Sequence, residues 1–289
     1  MLSHLLSFFT KPDVEEVYVN GNHGLAVLRK SKHEYFPVPS FFYKGEDFIK
    51  ACQNLALQCG LRLDPIRPFA GGILKEEGLR WHCIIPPAAP RGPLFALRKH
   101  RFGDLTIDDF AGEKKLKCEL MSLLENKTSL LFCGETGSGK TSLLAACLKV
   151  CALNDRVLII EELEEVPLLG ALWSKLLSKP ESIYGSGALS MEMLFRECLR
   201  LRPDRMVLGE LRGADFFCFL EAISSGHHGV FASFHAGSPS QLKQRLINAN
   251  FDTRSLEELG VYGVFLERHN PCKITAIKEL SRFLSTVGN

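Results

Sequence analysis

A phosphate-binding loop is the strongest chemical signal in the sequence. Its spacing is Gly134-x4-Gly139-Lys140-Thr141, between an apolar run that predicts a strand and an alanine- and leucine-rich run that predicts a helix. Glycines let the backbone aim successive N–H groups at a phosphate, and the helix start adds the positive end of its dipole. The lysine ammonium can bind the β- and γ-phosphates, and the threonine hydroxyl can bind Mg²⁺. The residues expected at the nucleotide are Gly134, Glu135, Thr136, Gly137, Ser138, Gly139, Lys140, Thr141 and Ser142.

Each of two further apolar runs that predict parallel core strands ends in acidic residues. Glu161 and Glu162 follow the first run, and Glu210 follows the second. Ligands of doubly wound α/β proteins bind at the carboxyl ends of the strands, so we expect these acids near the phosphate loop. There they can polarise the attacking water or hold the water shell of a metal ion. A solvated acidic turn explains Glu164, and in part Glu165, without a functional role.

Histidines and basic residues supply further candidates. His235 follows a third predicted core strand, so we expect it at the same edge as the acids. His227 precedes that strand, and a structural role is as well supported for it as a functional one. The basic residues 98–101 end an earlier predicted strand, where an ordinary solvated strand end explains them equally well.

The chain of 289 residues is long enough for two domains. Residues 1–103 show short strand patterns and one helix, which predict a small α+β domain. Residues 104–113 contain aspartates and a glycine without a strand pattern, and we interpret them as a linker. Residues 114–289 alternate apolar strands with helices, which predicts an α/β domain around the phosphate loop.

Composition narrows the class of protein. The net charge of +2 gives no electrostatic case for nucleic acid, so we expect no direct nucleic-acid partner. The ten cysteines include no Cys-x-x-Cys pair, which favours buried free thiols in a reducing cytosol. No apolar run approaches the ~18 residues that span a bilayer. We therefore expect membrane association only at the surface or through partners.

Four motifs stand in a characteristic order. They are Gly134-Glu-Thr-Gly-Ser-Gly-Lys-Thr141, Ile160-Glu-Glu-Leu-Glu-Glu165, Arg200-Leu-Arg-Pro-Asp-Arg-Met-Val-Leu-Gly-Glu-Leu-Arg-Gly213 and Gly226-His-His-Gly-Val-Phe-Ala-Ser-Phe-His-Ala236. Together they closely resemble the Walker A motif, acidic box, Walker B motif and His box of the type II/type IV secretion and pilus traffic ATPases. The match is nearest to the type IV secretion and Tad pilus branch. Residues 79–81, 85–87 and 97–99 resemble the N-terminal domain of that family, so the likeness covers nearly the whole chain.

The resemblance implies a RecA-like P-loop ATPase domain and a hexameric ring that uses ATP and Mg²⁺. Such rings power pilus assembly or secretion from the cytoplasm, at platform proteins of the inner membrane. By the same resemblance Thr141 binds Mg²⁺, Glu210 is the Walker B glutamate and Glu161 is the first acid of the acidic box, both acids lying at the metal. His235 would sense the γ-phosphate or organise the attacking water.

The resemblance also implies cationic residues that neutralise the transferred phosphoryl group. Arg98 and Arg101 match the region where the family supplies such groups, and Arg202 and Arg212 are further candidates. One such arginine can contribute a factor of ~10³ or more in rate. The chain departs from the family at Glu162, where an aspartate is usual.

Two interpretations stay open at this point. The first is a motor ATPase that couples hydrolysis to domain motion. The second is a nucleotide-binding scaffold or regulator with little hydrolysis, to which the Glu162 departure and the short first domain point. A RecA-like DNA motor is disfavoured by the near-neutral charge and by the lack of a basic aromatic run.

Overall fold

The structure is a computed structural model, and it forms two compact units. One unit is Met1–Arg101 with Pro180–Ala188, and the other is Phe102–Lys179 with Leu189–Asn289. No helix in the described part of the chain is long and apolar enough to cross a membrane. The residues described are 2–21, 24–29, 32–36, 45–74, 76–99, 105–110, 112–181, 186–249, 259–268 and 272–285.

The first unit contains an antiparallel sheet packed against helices. Its elements are α1 (Leu2–Ser7), a 3-10 helix (Phe8–Thr10), β1 (Val14–Asn20), β2 (Leu25–Arg29), β3 (Lys32–Phe36), α2 (Gly45–Gln58), β4 (Phe69–Leu74), β5 (Leu79–Ile84) and β6 (Leu94–Lys99). The strand order is β3-β2-β1-β6-β5-β4, and every neighbouring pair is antiparallel. Alternate residues of β5 point inward, so Trp81 and Cys83 join Phe48 and Cys52 of α2 in the core.

Strand β4 was not predicted from the sequence. Pro65 and Pro68 just before it are typical of a loop. A Cβ at Gly72 would lie 3.1 Å from the indole nitrogen of Trp81, so the glycine allows β4 to pack closely on β5. The sequence also did not predict that residues 180–188, far along the chain, belong to this unit. Arg67 in this unit donates through Nη1 to the Glu181 carbonyl at 2.8 Å.

The second unit is a mostly parallel sheet with helices on both faces. The strand order is β13-β12-β7-β11-β10-β8-β9, and every neighbouring pair is parallel except β12 and β13. This topology has the α/β class that the sequence predicted. Its elements are a 3-10 helix (Ile107–Asp109), α3 (Lys114–Glu125), β7 (Leu130–Gly134), α4 (Lys140–Cys151), β8 (Val157–Glu161), β9 (Trp173–Leu177), α5 (Met191–Arg200), β10 (Arg205–Leu211), a 3-10 helix (Gly213–Asp215), α6 (Phe216–Ser224), β11 (Phe231–His235), α7 (Pro239–Asn248), β12 (Tyr262–Glu267), β13 (Lys273–Glu279) and α8 (Leu280–Ser285).

Both faces of this sheet are buried, which explains the uninterrupted apolar runs of its strands. Helices α5, α6 and α7 cover one face, and α3 and α4 cover the other. In β7, Leu131 and Cys133 point to the first face, while Leu130 and Phe132 point to the second. Parallel strands covered on both sides typically read as continuous hydrophobic segments.

Strand β9, at the edge of the sheet, was also not predicted. Trp173 is buried and its indole N–H donates to the Ala152 carbonyl at 2.9 Å. The other residues of β9 are partly or fully exposed, so the strand has no continuous apolar run. Pairing with β8, and not the composition of the segment, makes it a strand.

The first residue of β10 is anchored by a buried guanidinium. Arg205 is 1% exposed, and its Nε lies 2.6 Å from Asp155 Oδ2. Gly229, just before β11, has a φ of +65°, a conformation that favours glycine. A Cβ at this position would also lie 2.2 Å from Nη1 of Arg205. The start of β10 is therefore fixed between the segment that precedes β8 and the turn that precedes β11.

Candidate functional site

The phosphate loop connects β7 to α4 at the carboxyl edge of the parallel sheet. Gly137 and Gly139 adopt φ values of +77° and +85°, which favour glycine over any other residue. A Cβ at Gly139 would also lie 2.9 Å from the ring of Phe110. The loop therefore depends on its glycines for its conformation and for its packing.

Lys140 lies at the centre of this loop. Its side chain is buried, and its Nζ donates to the carbonyls of Gly134 at 3.0 Å and Glu135 at 2.9 Å. The same ammonium lies 3.4 Å from His235 Nδ1. The loop thus holds the ammonium by carbonyl dipoles, at the place where a phosphate would lie.

A line of polar contacts continues from Lys140 across the ends of β11 and β10. The Nε2 of His235 lies 2.6 Å from Oε1 of Glu210. Arg212 donates through Nη2 to Oε2 of Glu210 at 2.9 Å, and its Nη1 lies 2.9 Å from Oε2 of Glu162. Because β7, β11, β10 and β8 are adjacent and parallel, the structure brings these five predicted residues together.

The carboxyl of Glu210 is ionised at neutral pH. Burial by itself raises its pKa, but the hydrogen bond from Arg212 and the charge of His235 outweigh that effect, and the pKa is lowered. An ionised carboxylate at this edge can polarise an attacking water or hold the water shell of a metal ion.

Glu161 ends β8, but its carboxylate is turned into the protein. It is 2% exposed, and Oε1 accepts the backbone N–H groups of Glu165 at 3.1 Å and Val166 at 2.8 Å. Its Oε2 accepts no hydrogen bond from the described residues and lies 3.5 Å from Lys175 Nζ, so charge alone compensates it. The role of Glu161 at the metal or in catalysis stays a prediction; in this structure Oε1 accepts two backbone N–H groups and Oε2 faces the Lys175 ammonium.

Glu165, which the sequence analysis explained in part as a solvated turn residue, faces the phosphate loop. Its Oε2 accepts a hydrogen bond from Thr141 Oγ1 at 3.1 Å. The turn after β8 returns towards α4 and places this carboxylate beside the hydroxyl that was predicted to bind Mg²⁺. No sequence signal separated Glu165 from its acidic neighbours, since only the path of the turn decides which of them faces the loop.

The oxygen donors at this place suit Mg²⁺. Mg²⁺ prefers hard oxygen ligands, keeps several water molecules, and is usually held by one or two protein groups together with phosphates. Thr141 Oγ1 and the carboxylate of Glu165 would hold it or its water shell, and Glu210 stays a further predicted ligand.

The buried Glu161 predicts a pH-dependent stability. Desolvation raises its pKa to about 7, against the opposing effect of Lys175. Since the folded protein then binds this proton more tightly than the unfolded chain, the free energy of unfolding falls as the pH rises from about 4.5 to about 7. Relative to Glu161→Gln, the wild type should lose about 3 kcal/mol across this window. Urea unfolding of both proteins between pH 4 and pH 8 measures it, and parallel curves would contradict it.

The structure does not bring Arg202 and His227 to this group. Both precede the strands β10 and β11, whereas the phosphate loop follows β7, which runs parallel to them. The length of a strand, ~15–20 Å, therefore separates them from the loop within one chain. His227 instead lies 3.3 Å from the hydroxyl of Ser225.

The arginines predicted from the first domain belong to the other unit. Arg98, in β6, pairs through Nε with Oε1 of Glu16 on β1 at 3.2 Å, and its side chain is 46% exposed. Arg101 lies outside the described residues. The role of both towards a phosphoryl group stays a prediction.

Comparison with known proteins identifies relatives across most of the chain. Rv3659c of Mycobacterium tuberculosis (strain H37Rv), whose name associates it with conjugal transfer, is 32% identical over 206 residues, which cover 68% of this chain and 58% of the relative. The chain thus spans less than two thirds of the length of that protein. The type IV secretion system protein VirB11 of Brucella suis is 29% identical over 277 residues, which cover 85% of this chain and 75% of VirB11.

A solved structure and a family assignment complete the comparison. The ATPase DotB of Yersinia pseudotuberculosis has a TM-score of 0.64 at 15% identity, over 98% of this chain and 79% of DotB, so the two share a fold. This likeness confirms the predicted α/β P-loop fold class. The family described as Type II/IV secretion system protein matches residues 93–269, which include all four sequence motifs. This chain therefore belongs to the type II/IV secretion system protein family.

Proposed function

We propose that this chain is a Mg²⁺-dependent ATP hydrolase that powers pilus assembly or macromolecular secretion. The observation that carries the proposal is the continuous line of contacts from Lys140 through His235 to Glu210. It joins a phosphate-binding ammonium to an ionised carboxylate at one edge of a parallel sheet, and membership of the secretion family supports the same activity.

The residues of the loop and of the three strand ends have distinct roles in this proposal. Lys140 binds the phosphates and exchanges the carbonyls of its own loop for phosphate oxygens. Glu210 orients and polarises the attacking water, and His235 holds Glu210 by one oxygen. Thr141 and Glu165 would hold Mg²⁺, which would supply positive charge against the phosphates.

The assembly is part of the proposal. A homo-hexamer at the cytoplasmic side of the inner membrane, in contact with secretion or pilus platform proteins, is what the motif resemblance implies. The name of the VirB11 relative, a type IV secretion system protein, supports that setting. The proposed action of Arg98 and Arg101 on the phosphoryl group rests on the motif resemblance alone.

Phosphate release from ATP by the purified full chain tests this function. We expect turnover with Mg²⁺ and its loss when EDTA removes the metal, because charge on the phosphates is then not neutralised. Size-exclusion chromatography with a non-hydrolysable ATP analogue should show a hexamer. Nucleotide binding without turnover, with or without membranes that carry partner proteins, would favour the scaffold interpretation instead. No binding of nucleotide at all would overturn both.

A further inference from the structure

A buried ion pair contacts the turn that carries Glu165, the proposed Mg²⁺ ligand. Lys175 is in the edge strand β9, yet its side chain is only 11% exposed, and its ammonium lies 3.5 Å from Oε2 of the 2% exposed Glu161. A charge pair removed from water in this way costs free energy, so its presence needs an explanation beyond stability.

The position of Glu161 is fixed by its surroundings. Gly209 in β10 leaves a recess for it, because a Cβ on Gly209 would lie 2.9 Å from the Glu161 Cγ and 3.3 Å from the Ile160 carbonyl oxygen. The side chain is therefore confined between β8 and β10. The Lys175 ammonium, 3.5 Å from Oε2, then orients the Glu161 carboxylate.

From Glu161 the contacts lead to the metal side. Its Oε1 accepts the N–H groups of Glu165 and Val166, and the Glu165 carboxylate accepts the Thr141 hydroxyl. We propose that Lys175 is a positioning residue, which acts through Glu161 and the turn 162–166 to hold Glu165 opposite Thr141. This inference rests on the proposed function, since it assumes that Thr141 and Glu165 hold Mg²⁺.

The physical reason is that the Lys175 ammonium, 3.5 Å from Oε2, orients the Glu161 carboxylate so that Oε1 faces the N–H groups of Glu165 and Val166. Without the ammonium, the carboxylate can turn away from this orientation, and its two hydrogen bonds no longer fix the turn 162–166. The turn then samples other conformations, and Glu165 spends less time beside Thr141. Loss of partners that support metal ligands typically costs 10–100-fold in metal affinity, and about 10-fold is expected here.

The test compares Lys175→Met with Lys175→Arg and Glu161→Ala, and uses Lys179→Met as control. Lys179 is an exposed lysine just beyond the end of β9. The first measurement is the Mg²⁺ concentration that gives half-maximal binding of a fluorescent ATP analogue to the full chain. The second, without nucleotide or metal, is hydrogen exchange at the amides of Glu165 and Val166.

We expect Lys175→Met and Glu161→Ala to raise the half-maximal Mg²⁺ concentration about 10-fold and to accelerate exchange at both amides. Binding of the analogue in EDTA should stay at the wild-type level. Lys175→Arg should restore most of the Mg²⁺ response, and Lys179→Met should behave as wild type.

If the Lys175–Glu161 pair only stabilises the fold, Lys175→Met should lower the melting temperature without changing the Mg²⁺ requirement. That outcome overturns the inference and leaves the proposed function intact. A wild-type protein that binds the analogue equally well without Mg²⁺ overturns the metal assignment itself. If Lys175→Met does not fold, hydrogen exchange at the amides of Glu165 and Val166 is measured in Glu161→Gln instead. Exchange at the wild-type rate in that variant refutes the proposed positioning role.

Discussion

Glu210→Gln should bind ATP with nearly unchanged affinity and hydrolyse it at least about 100-fold more slowly. Glutamine keeps the shape of the side chain and can still accept from Arg212, which holds the wild-type carboxylate at 2.9 Å. It loses the negative charge that the lowered pKa of Glu210 secures at neutral pH. The attacking water is then neither polarised nor deprotonated, so the effect falls on kcat.

Steady-state phosphate release and equilibrium binding of a fluorescent ATP analogue separate the two effects. Glu197→Gln is a matched control, because Glu197 forms an exposed ion pair with Arg200 on α5 and such pairs contribute little. Turnover at the wild-type rate in Glu210→Gln would remove Glu210 from the mechanism. Loss of binding would show that the carboxylate serves the loop structure instead.

Lys140→Ala should abolish both nucleotide binding and turnover, with affinity reduced at least about 100-fold. The ammonium is the buried cation of the phosphate loop, bonded at 3.0 and 2.9 Å to the carbonyls of Gly134 and Glu135. Its removal leaves the negative phosphates facing those carbonyl oxygens. Lys140→Arg should also fail, because a planar guanidinium is a poor substitute for a compact ammonium between two carbonyls.

Isothermal titration with ATP and Mg²⁺ measures the affinity, and circular dichroism confirms that each variant is folded. Lys117→Ala serves as control, since Lys117 pairs at the surface with Asp108 on a different segment. Wild-type affinity in Lys140→Ala would exclude this loop as the phosphate site.

The sequence predicted where the core strands end, but it did not predict which way the side chains at those ends point. Apolar runs locate β7, β8, β10 and β11, and parallel pairing then requires Lys140, Glu210 and His235 to lie at one edge. The same rule places Arg202 and His227 at the opposite edge of the sheet within one chain, because they precede their strands.

The roles of Glu161 and Glu165 could not be separated in the same way. Both lie in one acidic stretch, and their roles depend on the recess at Gly209 and on Lys175. Lys175 lies on β9, which is a strand only because β8 pairs with it. Long-range contacts of this kind leave no periodic pattern in the sequence.

The buried Arg205 has a consequence for how the molecule can work. Arg205 starts the strand in which Glu210 lies, and Asp155 at 2.6 Å opposes any slip of that strand along its neighbours. In the proposed reaction, the Glu210 carboxylate would therefore keep its place, and the groups that approach it would set its distance to the phosphorus. Control by other proteins would then act on those groups and not on the register of β10.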